Sequence, residues 1–321
     1  MQTKTFMQTR TFMQTKTLSR PDGLDLTYYR AGQGAETLVI TNAPGMSIRF
    51  WAPVIALLED RYSIVAMEYR GFPEPRRELT DAELAFPNYL EDLRLVLERE
   101  GVERAHFLSW CLGCKVAWQF QKHYPETVQS LLGVGMAFGS SGARPDSDFS
   151  NAMFAIKQRI ESQPQALDSI INMMKRIGFV PDADFFTSIF QEEDNDSVLS
   201  LMDTLEAESS MSTLAFYLLD HPVGLRNYLR MYEIFRSVPI AEHFPRVDVP
   251  VTVITGSEDQ ITPISADDER LLATLPRVRQ ETVDGASHFL PIEFPIRLSR
   301  RIDHHLRTAT RPVLAGAGSL G

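Results

Sequence analysis

Apolar residues fall along this chain in two alternating rhythms. TLVITNA (37–43) and YSIVAMEY (62–69) are unbroken apolar runs, the pattern of strands buried on both faces. RAHFLSW and VQSLLGVGMAF repeat that signal, and LDLTYYRAG shows the period of two expected of a strand. Between the runs the spacing turns helical. FWAPVIALLED follows the first run, and YLEDLRLVLEREG is an amphipathic helix closed by Gly101. LGCKVAWQFQKHYP is a helix that ends before Pro125. Strand–helix alternation of this kind predicts an α/β architecture: a mostly parallel central sheet flanked by helices.

The rhythm breaks near Gly142. From there to about residue 245 glycine nearly vanishes, and Phe149, Met153, Ile156 and Ile160, then Leu225, Tyr228, Leu229 and Tyr232, recur at helical spacing. Half of the chain's methionines lie in this block. Most are expected to pack helices, and together with phenylalanine they suit an adaptable apolar pocket wall. Alternation resumes with VPVTVITGSED, the helix SADDERLLATLP, the short strand VRQETVD and the helix PIEFPIRLSRRIDHHLRT. The expected organisation is a core in two parts, 21–142 and 246–308, interrupted by a helical cap at 143–245. A flexible arm (1–20) carries the tandem repeat MQTKTF, MQTRTF, MQTKTL, and a frayed tail covers 309–321. The acidic run QEEDNDS (191–197) reads as a solvated helix junction.

Composition narrows the partners. The net charge is −10 with no basic stripe, which argues against nucleic acid and anionic membrane surfaces. No apolar run reaches membrane-spanning length, and no signal-peptide apolar region is present. Two cysteines in 321 residues point to a reducing compartment, so the expected location is cytoplasmic. Neither a metal nor a cofactor is called for, because no second Cys or His pair stands at ligand spacing. The spacing leaves the oligomeric state open.

Ligand sites in open α/β sheets lie beyond the carboxyl ends of the strands. The loops leaving those ends carry Cys111 (WCLGC), Asp259 (GSEDQITP) and His288 (DGASHF), in that order. A nucleophile on a strained strand-to-helix turn needs small neighbours two residues before and after it. Ser109 and Gly113 meet this requirement around Cys111, whereas Ser109 as nucleophile would have Phe107 crowding the turn. Cys114, one helical turn on, reads as helix packing, and Glu258 is the alternative to Asp259 as acid. His106, within a strand, reads as a satisfied core residue, and the His304–His305 pair as surface.

APGMS, SWCLGC, GSEDQITP and GASHFLPIEFP together resemble the α/β-hydrolase superfamily over roughly Leu24 to Leu306, with the helical block at that family's variable cap position. Cys111 stands where the family's nucleophile stands, so the chain resembles its cysteine-nucleophile branch. The resemblance implies a triad of Cys111, His288 and Asp259, with an oxyanion hole formed by the N–H groups of Ala43 and Leu112. Pro44 cannot donate, and Asn42 replaces a frequent glycine. Trp110, Met46 and Phe289 are expected to contact substrate. The implied activity is hydrolysis or transfer of an acyl ester or thioester of an apolar small molecule, free or bound to a carrier protein. Thioesterase-like, dienelactone-hydrolase-like and tetronate-pathway acetate-eliminating enzymes of natural-product biosynthesis are all similar. Two further readings stand beside it: a lyase that eliminates a carboxylate on the same scaffold, and a non-catalytic small-molecule receptor.

Overall fold

The computed structural model describes residues 13–72, 77–138, 147–176 and 222–309. Its centre is one eight-stranded sheet in the order β1-β2-β4-β3-β5-β6-β7-β8. The strands are β1 (Gln14–Ser19), β2 (Asp25–Ala31), β3 (Glu36–Thr41), β4 (Tyr62–Met67), β5 (Ala105–Trp110), β6 (Val128–Val134), β7 (Val251–Gly256) and β8 (Val278–Val283). β1 and β2 pair antiparallel with their neighbours, and β3 to β8 are parallel.

The unbroken apolar runs follow from burial on both faces. Leu38 and Ile40 of β3 face one core with Trp110 of β5 and helices α1 (Ala52–Leu58) and α10 (Pro295–Ala309). Val39 and Phe107 face the opposite core with α3 (Pro87–Arg99) and α4 (Cys114–His123). In β4 and β5 every residue is buried, so alternation has nothing to select for. A capping box by Thr80 and Glu83 starts the short α2 (Asp81–Leu84). In the second half α8 (Ala266–Leu272) and α9 (Leu290–Glu293) complete the layers.

The inserted block contributes α5 (Asp148–Ser162), α6 (Leu167–Arg176) and α7 (Pro222–Ser237) to the described residues. α7 packs on α5, α6 and α2, and also on the turn Cys111–Gly113 at the start of α4. Thus one helix of the block lies directly over the carboxyl edge of the sheet.

Several expectations change. The third repeat copy, placed in an arm, is the edge strand β1, and the Nζ of Lys16 donates to Glu100 at 2.9 Å. The first two copies, the run 191–197 and the tail from residue 310 lie outside the described residues. The fourth strand ends at Val134, because Gly135 turns away at φ +49°. The last helix is interrupted before Pro295, whose ring cannot continue α9. His305 is buried, not surface, and its Nδ1 bonds Thr252 Oγ1 at 2.8 Å. His106 is only half satisfied: Nδ1 meets Ser130 Oγ at 2.6 Å and Nε2 has no partner among the described residues. Among the described residues, no helix is long and apolar enough to cross a membrane.

Candidate active site

β5 reaches Trp110 in extended conformation and then turns sharply at Cys111. Cys111 is the one non-glycine residue with positive φ (51°) among the described residues. A side chain held there costs on the order of 1–3 kcal/mol and persists only if the surroundings impose it. They do. A Cβ at Gly113 would lie far inside van der Waals contact with the carbonyl oxygens of Thr41 and Asn42, so the turn closes against the end of β3 only with glycine there. Ser109 is buried and its Oγ donates to the Leu132 carbonyl at 2.9 Å, which ties it to β6 and away from the site. Cys114 is fully buried, its thiol directed at the Ala137 carbonyl, and burial pushes that thiol up to about 12.

The acid and the histidine arrive from two other strand ends. The Nδ1 of His288 lies 2.8 Å from Asp259 Oδ2. The backbone N–H groups of Ile261 and Thr262 donate to Asp259 Oδ1 at 2.9 and 2.8 Å. Burial would raise this carboxyl, and the His288 and Thr262 contacts hold it below its ordinary range. Glu258, the alternative acid, is exposed. Burial also works against a charged His288 ring. The Cys111 sulfur and the Asp259 carboxylate outweigh it by charge and hydrogen bonding, and raise the imidazole to about 10. Both partners favour the charged form of the ring, which lies between an acid and a sulfur.

Two supports were not assigned from sequence. Thr262 Oγ1 sits within hydrogen-bond reach of Asp259 Oδ2 (2.9 Å), His288 Nδ1 (3.1 Å) and the Gly135 carbonyl (3.0 Å), clasping acid, base and the end of β6. A Cβ at Gly135 would stand 3.1 Å from both Asp259 and His288, so this glycine makes room for the pair. The legible signals were the threonine inside GSEDQITP and the glycine ending the fourth apolar run.

Ala43 and Leu112 face the same cavity as Cys111 and His288. Leu112 belongs to the first residues of the turn, whose N–H groups lack intrahelical acceptors. Asn42 braces the Ala43 loop: its Nδ2 donates to Met46 O at 2.6 Å, its Oδ1 accepts from Trp51 Nε1 at 3.0 Å, and its carbonyl accepts from Tyr69 at 2.7 Å. Just beyond, Glu68 accepts from the Ile48 N–H at 3.0 Å, and burial drives that carboxyl up to about 7.

Trp110, Met46 and Phe289 all line the cavity. Trp110 also stacks on Phe50 at 4.5 Å, and its indole N–H donates to the His288 carbonyl at 3.1 Å, so it orients the histidine loop. Phe149, Tyr228 and Tyr232 close the cavity from the inserted helices. The cavity itself measures about 50 Å³, and its mouth is open to solvent.

A family model described as alpha/beta hydrolase fold matches residues 36–295. The "Putative carbamate hydrolase RutD" of Shigella flexneri is 23% identical over 271 residues, covering 81% of this chain and 87% of the relative. Two solved structures share the architecture. One is a thermophilic esterase from Thermogutta terrifontis: TM-score 0.63, 17% identity, 93% of this chain and all (100%) of that one. The other is a hydrolase from Pseudomonas aeruginosa PA01: TM-score 0.59, 20% identity, 91% of this chain and 98% of that one.

Proposed function

The chain belongs to the alpha/beta-hydrolase family, and from that membership we propose that it processes acyl esters or thioesters of an apolar small molecule through Cys111, His288 and Asp259. The observation that carries this reading is the positive-φ Cys111 sharing one cavity with His288, whose Nδ1 is bonded to Asp259. In the proposed course the Cys111 thiolate attacks the scissile carbonyl carbon. The N–H groups of Leu112 and Ala43 hold the developing oxyanion. His288 gives its proton to the leaving group, and the carbonyl closes to a thioester. Water, activated by the now neutral His288, then releases the acid; an alcohol or thiol in place of water gives transfer. Asp259 keeps the proton of His288 on Nδ1 and supports its charge, with Thr262 orienting both. The names of the similar proteins fit: a carbamate hydrolase and an esterase both act at an acyl carbon bearing a heteroatom.

A role in secondary metabolism and a carrier-bound acyl group remain part of this reading, resting on the sequence resemblance, and so does a cytoplasmic location, resting on the two cysteines. The elimination reading draws less support, since a His288 whose charged form is favoured by both partners is a poor base for a carbon acid. A receptor has no use for the acid–histidine–sulfur set.

The test is acylation. Incubation with p-nitrophenyl and N-acetylcysteamine esters of medium-chain acids should add one acyl mass to the intact protein, located on Cys111 by peptide mapping. Cys111→Ala should lower kcat/KM by at least about 10³-fold. Full turnover in that variant, without adduct in the wild type, refutes the assignment.

A further inference from the structure

Among the described residues, the cavity over Cys111 is poor in polar side chains, and most of those present are engaged. The indole N–H of Trp110 is given to the His288 carbonyl, and the Tyr232 hydroxyl lies 2.8 Å from Ser150 Oγ. Cys111, His288 and Asp259 serve one another. Tyr228 differs. It is buried on α7 and lines the cavity, yet its hydroxyl has no hydrogen-bond partner among the described residues. Nor is it among the buried hydroxyls sealed from all space, and the residue that carries it lines the cavity.

The helix that carries it is held firmly to the core. Next to Tyr228, the buried Asn227 accepts from the Leu79 N–H at 2.9 Å and donates to the Arg77 carbonyl at 3.0 Å. Arg230, one turn on, donates to the Leu79 carbonyl. α7 also packs on the nucleophile turn. The phenol is thus a donor set in place over the reactive sulfur, in a wall otherwise apolar.

A pocket of this kind orients its ligand through a few placed polar groups, and a buried donor left unpaired penalises a ligand that cannot meet it. We propose that Tyr228 is a specificity-determining residue that donates a hydrogen bond to a second oxygen on the substrate's acyl group, so that the preferred substrates are acyl esters or thioesters carrying a keto or ether oxygen beyond the scissile carbonyl. This rests on the acyl reading of the site. The phenol gives up no proton in the reaction: burial first, then the neighbouring Tyr232 and Cys111, hold it neutral and donating throughout.

The test compares hexanoyl with the 3-, 4- and 5-oxohexanoyl p-nitrophenyl esters. The wild type should favour its best oxo isomer over hexanoyl by roughly tenfold or more in kcat/KM. Tyr228→Phe should bring that ratio toward one, while Tyr232→Phe, whose hydroxyl is engaged by Ser150, retains it. Unreactive N-methylamides of the same acids, titrated by calorimetry, read the same ratio without turnover. A wild type indifferent to the second oxygen in both measurements, or a ratio that survives Tyr228→Phe, overturns the inference. An oxo preference in binding with no acylation of Cys111 would sink the acyl reading and leave the Tyr228 assignment standing.

Discussion

At the scale of single residues, the site depends on how one imidazole is charged. His288 is raised to about 10 by the Cys111 sulfur and the Asp259 carboxylate against the effect of burial. A group raised in this way is protonated below that value and loses its proton as pH rises through it. A step that needs His288 as the acid for the leaving group should therefore lose rate on an alkaline limb near pH 10. Asp259→Asn removes one of the raising partners, so kcat/KM should fall by about 10²–10⁴-fold and the limb should move to lower pH. A limb that stays in place would show that Asp259 does not set the charge of His288. The triad positions were legible because chain order and turn chemistry are local properties of the sequence. Thr262, Gly135 and Asn42 were not legible in their roles, because each acts by touching a group from a different strand end. Only the folded sheet brings Gly135 beneath Asp259 and His288.

At the scale of elements, the inserted block leaves the core after Phe138 and returns near Val238, and one side chain joins the two places. Lys115, fully buried on α4, donates from Nζ to the Phe138 carbonyl at 2.6 Å and to the Val238 carbonyl at 2.9 Å. Beside it Gln119 donates to the Pro239 carbonyl at 2.6 Å. Burial drives this lysine down to about 8, which still leaves it largely charged at neutral pH. Lys115→Met keeps much of the volume but strands two buried carbonyls, at a cost of about 2–4 kcal/mol. The urea midpoint should drop accordingly, and amide exchange should quicken around residues 138 and 238. An unchanged midpoint would mean that these carbonyls find other donors. The sequence marks the block as helical through its spacing, but a lysine inside an apolar helix stripe reads as a surface charge until its partners are seen.

At the scale of the whole molecule, strands and helix layers were readable almost throughout, since burial on both faces writes itself into continuous apolar runs. What failed were polar residues whose burial depends on distant elements. His305 is the example, whereas His106 was read as a core residue and only its full bonding failed; burial, more than the nearby cations, lowers His106 to about 4 and His305 to about 3. The unfolded chain takes up protons near pH 6.5, whereas the folded one refuses them until far lower, so stability is lost as pH falls below about 6.5. Between pH 7 and pH 5 the loss should be on the order of 2 kcal/mol per histidine. Denaturant midpoints at the two pH values should show it, and His305→Gln should flatten the slope; equal slopes would contradict the assignment. The edge of the sheet has a different kind of robustness. β1 is the third of three hexads, and six is an even number, so sliding the chain by one hexad leaves every side chain on its own face of the sheet. Arg10 or Lys4 would then come to the place of Lys16 opposite Glu100, and Phe12 or Phe6 to that of Leu18. A deletion of one hexad would be silent at this edge, because an equivalent hexad would move into the place of the strand.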